Sequence, residues 1–484
     1  MTAASQSQHP LAPREAVAGD LLFIVLVLAL PLGLASSSHN FNDGDVSWHV
    51  AAGEWMLRHG SVPTADPFSF TAAGHPWVAM EWLADVIYAT AYNIAGYAGL
   101  ATIVAAALIA LHAILFLHLQ RHVGPLALTA TFIGLDLVLV PFILARPHVL
   151  VWPILAGWTV LLLRAAEAKR APPLWGALIM LAWTNLHGSF PLGALIGAAL
   201  AFDALTATKW KTLPQWTIFG LASFLAMLMN VNGAPGLLQP LRVVGMGTLP
   251  LIQEWQASSP SWTPQFYAAV LLGLGALLWS GVRVPAGRLV LLLLMLAMAF
   301  SQIRNQSWFA IVAAAVLPPL FGTRSVTRGG FAILGVATLP LLALRAAIPI
   351  TPVENASNPR HLIAAVPREL RSQPVFNGYT FGGPLILAGI KPYIDGRSEM
   401  YGDAFVTDYS EIIRGDAARF NRAVRRYGIR WTMLPASNGR LIAVLDLSPN
   451  WRRIYADRVG VIHVRRDERI ESRNRAGAIP ATAR

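Results

Sequence analysis

Not one of the 484 residues is a cysteine. Structural disulfides, thiol nucleophiles and cysteine-ligated metals are thereby excluded, while the redox compartment stays open. Charge is scarce too: Asp, Glu, Lys and Arg make up 13% of the chain, where a soluble domain carries about 25%. With 55% hydrophobic residues and a mean hydropathy of +0.52, most of the chain is solvated by acyl tails, which predicts a polytopic membrane protein. Acidic residues are the rarer sign, 25 against 37 basic, for a net charge of +12. In a soluble protein that balance would suggest nucleic acid. Here the cations sit in short loops and a C-terminal segment, so membrane orientation explains them and no nucleic-acid partner is expected. A phosphate-cradling nucleotide loop is also missing, because Gly382-Gly383 runs into Pro384 with no Lys-Ser/Thr pair behind it. Nor are there the matched halves with interrupted helices that mark many transporters. Arg far outnumbers Lys and Ala is abundant, a composition compatible with a GC-rich bacterial genome.

What the chain has is long apolar runs. Spans of roughly 17 to 23 residues predict helices near 20–37, 98–120, 125–144, 147–164, 172–186, 189–206, 214–232, 264–281, 287–302, 306–322 and 330–348, a bundle of about eleven. The first run, 21–34, precedes Ala35-Ser36-Ser37-Ser38 and reads as a retained signal anchor, since many spans follow. The stretch 83–95 is too short to cross and carries Asp85 and Asn93, so it reads as an interfacial or re-entrant helix. With the N-terminus inside, the cytoplasmic turns hold Arg121; Arg164, Lys169 and Arg170; Lys209 and Lys211; Arg283 and Arg288; Arg324 and Arg328. Every such turn is basic, as positive-inside orientation requires.

The same parity places a polar set outside. Residues 40–82 concentrate Asp43, Asp45, His49, Asp66, Glu81 and Trp82, and later outer turns add Arg146-Pro147-His148, His187, Glu254-Trp255 and Arg304. Ionisable groups cost several kcal/mol near hydrocarbon unless they are paired or wet, so their gathering at one membrane face points to a site for a charged lipid headgroup. Arg146, His148, His187 and Arg304 are the candidates to hold a phosphate, which a guanidinium meets with two hydrogen bonds. His49, Asp66, Glu81, Trp82, Glu254 and Trp255 are candidate substrate contacts. Asp45 opens the helical stretch 46–58 and reads either as an N-cap or as a base, with Asp43 as its partner. Asp43-Gly44-Asp45 also has the spacing of a carboxylate pair for Mg²⁺ or Mn²⁺. Tryptophans at a membrane boundary read either as belt residues or as platforms for sugar rings. Asp136 lies too deep in a span for the outer site and reads as a hydrogen-bond partner for a neighbouring helix.

After residue 350 the pattern becomes α/β: a strand at 374–377, a loop and short helix at 382–389, a strand at 392–395, helices within 408–426, a strand at 430–434 and a hairpin at 452–466. Asp395-Gly396-Arg397 reads as a turn with an internal ion pair. The expected division is a membrane domain over 1–350 with its first outer loop at 38–97, an extracytoplasmic α/β domain over 351–466 and a disordered tail over 467–484.

Several motifs carry a resemblance. DVSWHVAAG at 45–53, Pro63, DPFSFT at 66–71, Gly74, Trp77 and Glu81-Trp82-Leu83 resemble the first outer loop of bacterial GT-C superfamily membrane proteins. RPH at 146–148, WTNLHGSF at 183–190, Glu254-Trp255, NGYTFGG at 377–383, IDGR at 394–397 and Tyr401-Gly402 are similar to the same group. The resemblance implies a GT-C-like, mainly α fold in a bacterial inner membrane. It also implies inverting transfer of a sugar from a polyprenyl-phosphate donor to a hydroxyl of a glycan, lipid or protein at the outer face, with a first-loop carboxylate as base. A lipid-linked-glycan flippase or a non-catalytic assembly protein on the same fold are the alternatives. The charge pattern makes a direct prediction: a reporter fused after Arg170 or Lys211 should be active in the cytoplasm and one fused after Arg484 in the periplasm, and any exchange of sides would overturn the orientation.

Overall fold

The computed structural model describes residues 19–322 and 331–466; Arg324, Arg328 and the 467–484 tail lie outside them. The chain divides into two compact units. The first gathers the described residues of Met1–Asn40, Ala52–Val62 and Val78–Pro352, and the second gathers those of Phe41–Ala51, Pro63–Trp77 and Val353–Arg484. This differs from the expected division. Two pieces of the first outer loop, 41–51 and 63–77, belong with the C-terminal segment.

The first unit is helical throughout, and each of the eleven apolar runs forms helix. Three helices, Trp82–Leu119, Pro125–Phe142 and Pro147–Glu167, are long and apolar enough to cross a membrane. Leu213–Leu228 and Gly233–Val244 reach that length only as a pair bent by 93°, and seven further apolar helices have 10–17 residues. Of the expected eleven spans, three therefore reach full length by themselves among the described residues, and the others are shorter or bent helices. The 93° bend has a local cause. Asn230 Nδ2 donates to the carbonyls of Met227 and Gly233 while Oδ1 accepts from the Asn232 N–H, and Gly233 adopts φ +57°. These bonds replace the helical ladder at the point where it stops.

The predicted interfacial helix is the first part of Trp82–Leu119, which is broken at Ala95 and at Gly96 with φ 57°. Only glycine takes that backbone conformation without strain. The break also folds Gly99 so closely onto Ala91 that a Cβ there would overlap the Ala91 carbonyl. Trp82–Leu119 packs along Pro147–Glu167, which in turn packs on Pro191–Ala207 and Asn305–Val316. Trp152 and Trp158 are wholly buried on this central helix. Asp136 is met by His112 across two helices, Nε2 to Oδ1 at 3.0 Å, as a buried carboxylate requires. Arg288, read as a loop cation, is buried beside Asp203 and Glu167 at 3.6 and 3.4 Å.

The second unit is built on a four-stranded sheet: β1 (Val375–Asn377), β2 (Trp431–Pro435), β3 (Trp451–Ala456) and β4 (Gly460–Arg465), in the order β1-β2-β4-β3. β1 and β2 are parallel, and the other two pairs are antiparallel. β2 is buried at all five positions, as a central strand with both faces covered should be. Helices Asp403–Ile413 and Ala417–Tyr427 bring Tyr409, Ile412, Phe420 and Val424 against Phe376 and Tyr393. Helix Gly439–Leu447 was not anticipated from the sequence.

The expected strand at 392–395 is absent among the described residues, and the cause lies in its hydrogen bonding. Asn377 Nδ2 donates to the Ile394 carbonyl at 2.8 Å and its Oδ1 accepts from the Tyr393 N–H at 2.7 Å. The Thr71 hydroxyl donates to the Tyr393 carbonyl and the Phe70 N–H to that of Pro392. Side chains and a loop thus satisfy groups that a neighbouring strand would otherwise pair. Because Asn377 is fully buried, Asn377→Ala should destabilise this unit by about 2 to 3 kcal/mol. Pulse proteolysis in urea on the full chain measures it; a change below about 0.5 kcal/mol would show that the backbone finds other partners.

Candidate functional site

In the first unit, residues far apart in sequence converge on Glu254. The one-turn helix Gln253–Trp255 holds this carboxylate between two guanidiniums. Arg146 Nη1 donates to Oε2 at 3.0 Å and Arg304 Nη1 to Oε1 at 3.2 Å. Each arginine stands at a helix start: Arg146 is extended just before Pro147–Glu167, and Arg304 leads into Asn305–Val316. Backbone bonds hold the two strands of this arrangement together, since the Arg304 N–H donates to the Glu254 carbonyl and the Ile303 N–H to that of Gln256. The Arg304 guanidinium lies 4.1 Å from the centre of the Trp255 ring, a cation–π contact that orients it. Burial pushes the Glu254 carboxyl up, but Arg146 and Arg304 outweigh this and hold it down at about 2. It is an anion at any physiological pH.

The histidines lie alongside. The ring of His187 is 6.5 Å from that of His148 and 5.7 Å from that of Trp308. His187 Nε2 meets Glu81 Oε1 at 3.1 Å, and its Nδ1 meets the Ser189 hydroxyl at 2.8 Å. His148 Nε2 is 2.8 Å from the Phe142 carbonyl. Trp82 Nε1 donates to Asn185 Oδ1 at 2.8 Å, so this tryptophan is tied into the protein by its polar edge. Tyr88 donates to the Arg146 carbonyl at 2.9 Å. Eight of the residues singled out from sequence therefore belong to this unit: Arg146, His148, His187, Arg304, Glu81, Trp82, Glu254 and Trp255. Tyr88, Asn185, Ser189 and Trp308 were missed. Asn185 and Ser189 lie inside the WTNLHGSF motif, and Trp308 follows Arg304 by one helical turn, so the spacing carried a signal.

Asp43, Asp45, His49 and Asp66 belong to the second unit. Asp43, not Asp45, closes the first turn of helix Asp45–His59, with Oδ1 accepting from the Asp45 N–H at 2.8 Å. The Asp45 carboxylate lies against Gly396, where a Cβ would overlap its Oδ1. Burial raises the Tyr379 phenol most, and the Asp45 charge is the next largest cause. Trp48 Nε1 points to the same place, buried and with no hydrogen-bond partner among the described residues. His49 is buried with its ring centre 3.6 Å from that of Trp48, the two planes tilted by 32°.

Asp66 is wholly buried: its Oδ1 accepts from the Phe68 N–H at 2.9 Å and from Arg397 Nη1 at 2.8 Å, and its Oδ2 accepts from the Ser69 N–H and hydroxyl. A carboxylate so enclosed ties loops together. Arg397 is shared with Asp395, whose two oxygens accept from Nε and Nη2 at 2.8 and 2.7 Å, so the Asp395-Gly396-Arg397 turn does contain its ion pair. The guanidinium also lies over Trp77 at 4.8 Å and Phe68 at 5.2 Å, which makes Trp77 a core residue here and not a membrane belt. Burial works against the charges of both Asp395 and Arg397. Their mutual attraction prevails, lowering the Asp395 carboxyl and raising Arg397. Nearby Glu399 has no comparable partner, and burial pushes it up to about 7.

Asp43 Oδ1 accepts from the Asp45 N–H at the helix start, and no group of three or more candidate metal ligands occurs among the described residues.

The chain has a GT-C-like fold. It is similar to ArnT from Cupriavidus metallidurans in its apo crystal structure, with a TM-score of 0.54 and 13% identity over 93% of this chain and 98% of that one. It is also similar to the Archaeoglobus fulgidus oligosaccharyltransferase tethered to an acceptor peptide, with a TM-score of 0.46 and 11% identity over 94% and 74% of the two chains. No family model and no curated protein matches the sequence. The buried ion cluster yields its own expectation. Arg397→Met strands two buried carboxylates and should destabilise the second unit by about 3 to 5 kcal/mol. Because the Asp395 carboxyl is depressed in the folded state, its share of stability is present above the ordinary carboxylate range and lost as pH falls through the folded value. Acid titration of wild type and variant, followed by pulse proteolysis, tests both statements.

Proposed function

We propose that this protein is a membrane glycosyltransferase, moving a sugar from a polyprenyl-phosphate-linked donor to an acceptor hydroxyl with inversion. The observation that carries the reading is the sharing of one carboxylate by Arg146 and Arg304, 158 residues apart in sequence, with Trp255 beneath one of them. Two converging guanidiniums are suited to phosphate, which they meet through planar, paired donors. The GT-C-like fold supports the same class. The setting is a bacterial inner membrane, the transfer taking place on the outer face.

Asp45 is assigned the role of base. In the transfer the acceptor oxygen forms a bond to the anomeric carbon and its proton passes to the Asp45 carboxylate. The bond from that carbon to the phosphate oxygen breaks, and its electron pair leaves with the polyprenyl phosphate. Arg146 and Arg304, within the first unit, are suited to a developing phosphate charge, since a preorganised field contributes most to such steps. The acceptor is a glycan, lipid or protein hydroxyl. No step is routed through a metal.

Helix capping by Asp43 simplifies the test, because Asp45→Asn leaves the first turn intact. Transfer should fall about 100-fold or more with unchanged protein in the membrane, read by mass spectrometry of envelope glycans and lipid-linked sugars. Near-normal products would remove Asp45 from the mechanism. Arg304→Lys keeps the charge and loses the fork, so turnover should fall by more than about tenfold, or roughly 1.4 kcal/mol. If Arg304→Lys and Arg146→Lys are both silent, the phosphate reading fails and a transporter or assembly role takes its place.

A further inference from the structure

The two guanidiniums at the first unit's cluster do not stand as a bare pair of positive charges. Glu254 gives one carboxylate oxygen to each, at 3.0 and 3.2 Å, and its side chain is 33% exposed, against 14% for Arg146 and 23% for Arg304. A carboxylate placed this way affects an incoming phosphate twice over. It takes up one Nη1 donor of each arginine, and it subtracts one unit from the positive field where the phosphate would bind. The second effect scales with phosphate charge. A phosphodiester carries one negative charge, whereas a phosphomonoester approaches two above its second pKa of about 6, so the same carboxylate penalises the monoester about twice as heavily. Glu81 and the imidazoles of His187 and His148 are further ionisable groups nearby, and because a change at Glu254 leaves them in place, their contribution is common to wild type and variant.

We propose that Glu254 is a specificity-determining residue that tunes the Arg146–Arg304 pair to a singly charged phosphodiester, the form of a lipid-phosphate-sugar, and against doubly charged phosphomonoesters and diphosphates. This deepens the donor assignment and rests on the phosphate reading of the two arginines. It gives the cluster a direction in the reaction. The donor enters as a monoanion and the lipid product leaves as a phosphomonoester, so Glu254 lets the arginines meet the charge as it forms and weakens their hold on the product afterwards. It also predicts poor use of donors linked through a diphosphate.

The test uses the purified full chain in neutral-lipid nanodiscs at about pH 8, where the monoester is a dianion. Farnesyl-phosphoryl-glucose and farnesyl phosphate are the two probes, titrated by calorimetry. Wild type should prefer the diester. Glu254→Gln should shift the ratio of the two dissociation constants by about tenfold or more toward the monoester, while Glu254→Asp, which keeps the charge, should stay near the wild-type ratio. An unchanged ratio in Glu254→Gln, or equal weakening of both probes, overturns the proposal, the latter meaning that Glu254 only organises the arginines. Wild type alone can overturn it as well, if the monoester binds about tenfold tighter than the diester. Arg304→Gln and Arg146→Gln separate the two levels. If they weaken both probes while the Glu254→Gln ratio is unmoved, charge selection fails and the phosphate site stands; if they are silent, both fall together.

Discussion

A guanidinium withdrawn completely from water must be met by carboxylates, and Arg397 imposes that requirement on the second unit. Its side chain is wholly buried, as are those of Asp66 and Asp395. Asp66 lies more than 300 residues earlier in the chain, on the loop that also supplies Trp77, Phe68 and the Thr71 bond to Tyr393. One buried cation therefore decides that a piece of the first outer loop folds as part of the C-terminal unit. Such pairs add little net stability compared with apolar packing, since desolvation offsets most of the attraction. Their effect is on uniqueness: few alternative placements of the loop would satisfy both carboxylates and the cation.

The same reasoning clarifies Asp45. Asp43 serves the helix start, Gly396 leaves room where any side chain would collide, and Trp48 turns a buried N–H toward the same place. The space that Gly396 leaves is thus filled by the Asp45 carboxylate and the Trp48 indole. In the first unit the logic is complementary. Arg146, Arg304 and Glu254 remain partly exposed, and the two arginines are still strong enough to keep Glu254 ionised.

Sequence patterns located the helices well because apolar runs of this length leave few alternatives. How long each helix runs depends further on its ends, which are set by local bonds such as those of Asn230 and by the backbone freedom of Gly96 and Gly233. The 392–395 segment looked like a strand by composition. Asn377 and the 70–71 loop claim its polar backbone groups, a competition that no alternation of apolar residues can register.

The sequence by itself determined the class of the protein: its composition requires a lipid solvent, and the motifs at 45–53, 146–148 and 183–190 singled out Asp45, His49, Arg146, His148 and His187 as candidates. Tertiary structure decided how those residues are grouped. Asp66 and Trp77 turned out to be packing and ion-pair partners, while Glu254, read from sequence as a substrate contact, became the carboxylate shared by two arginines. The reason is that pairing of charges depends on distances across the fold, and sequence spacing governs only neighbours within one helix or strand.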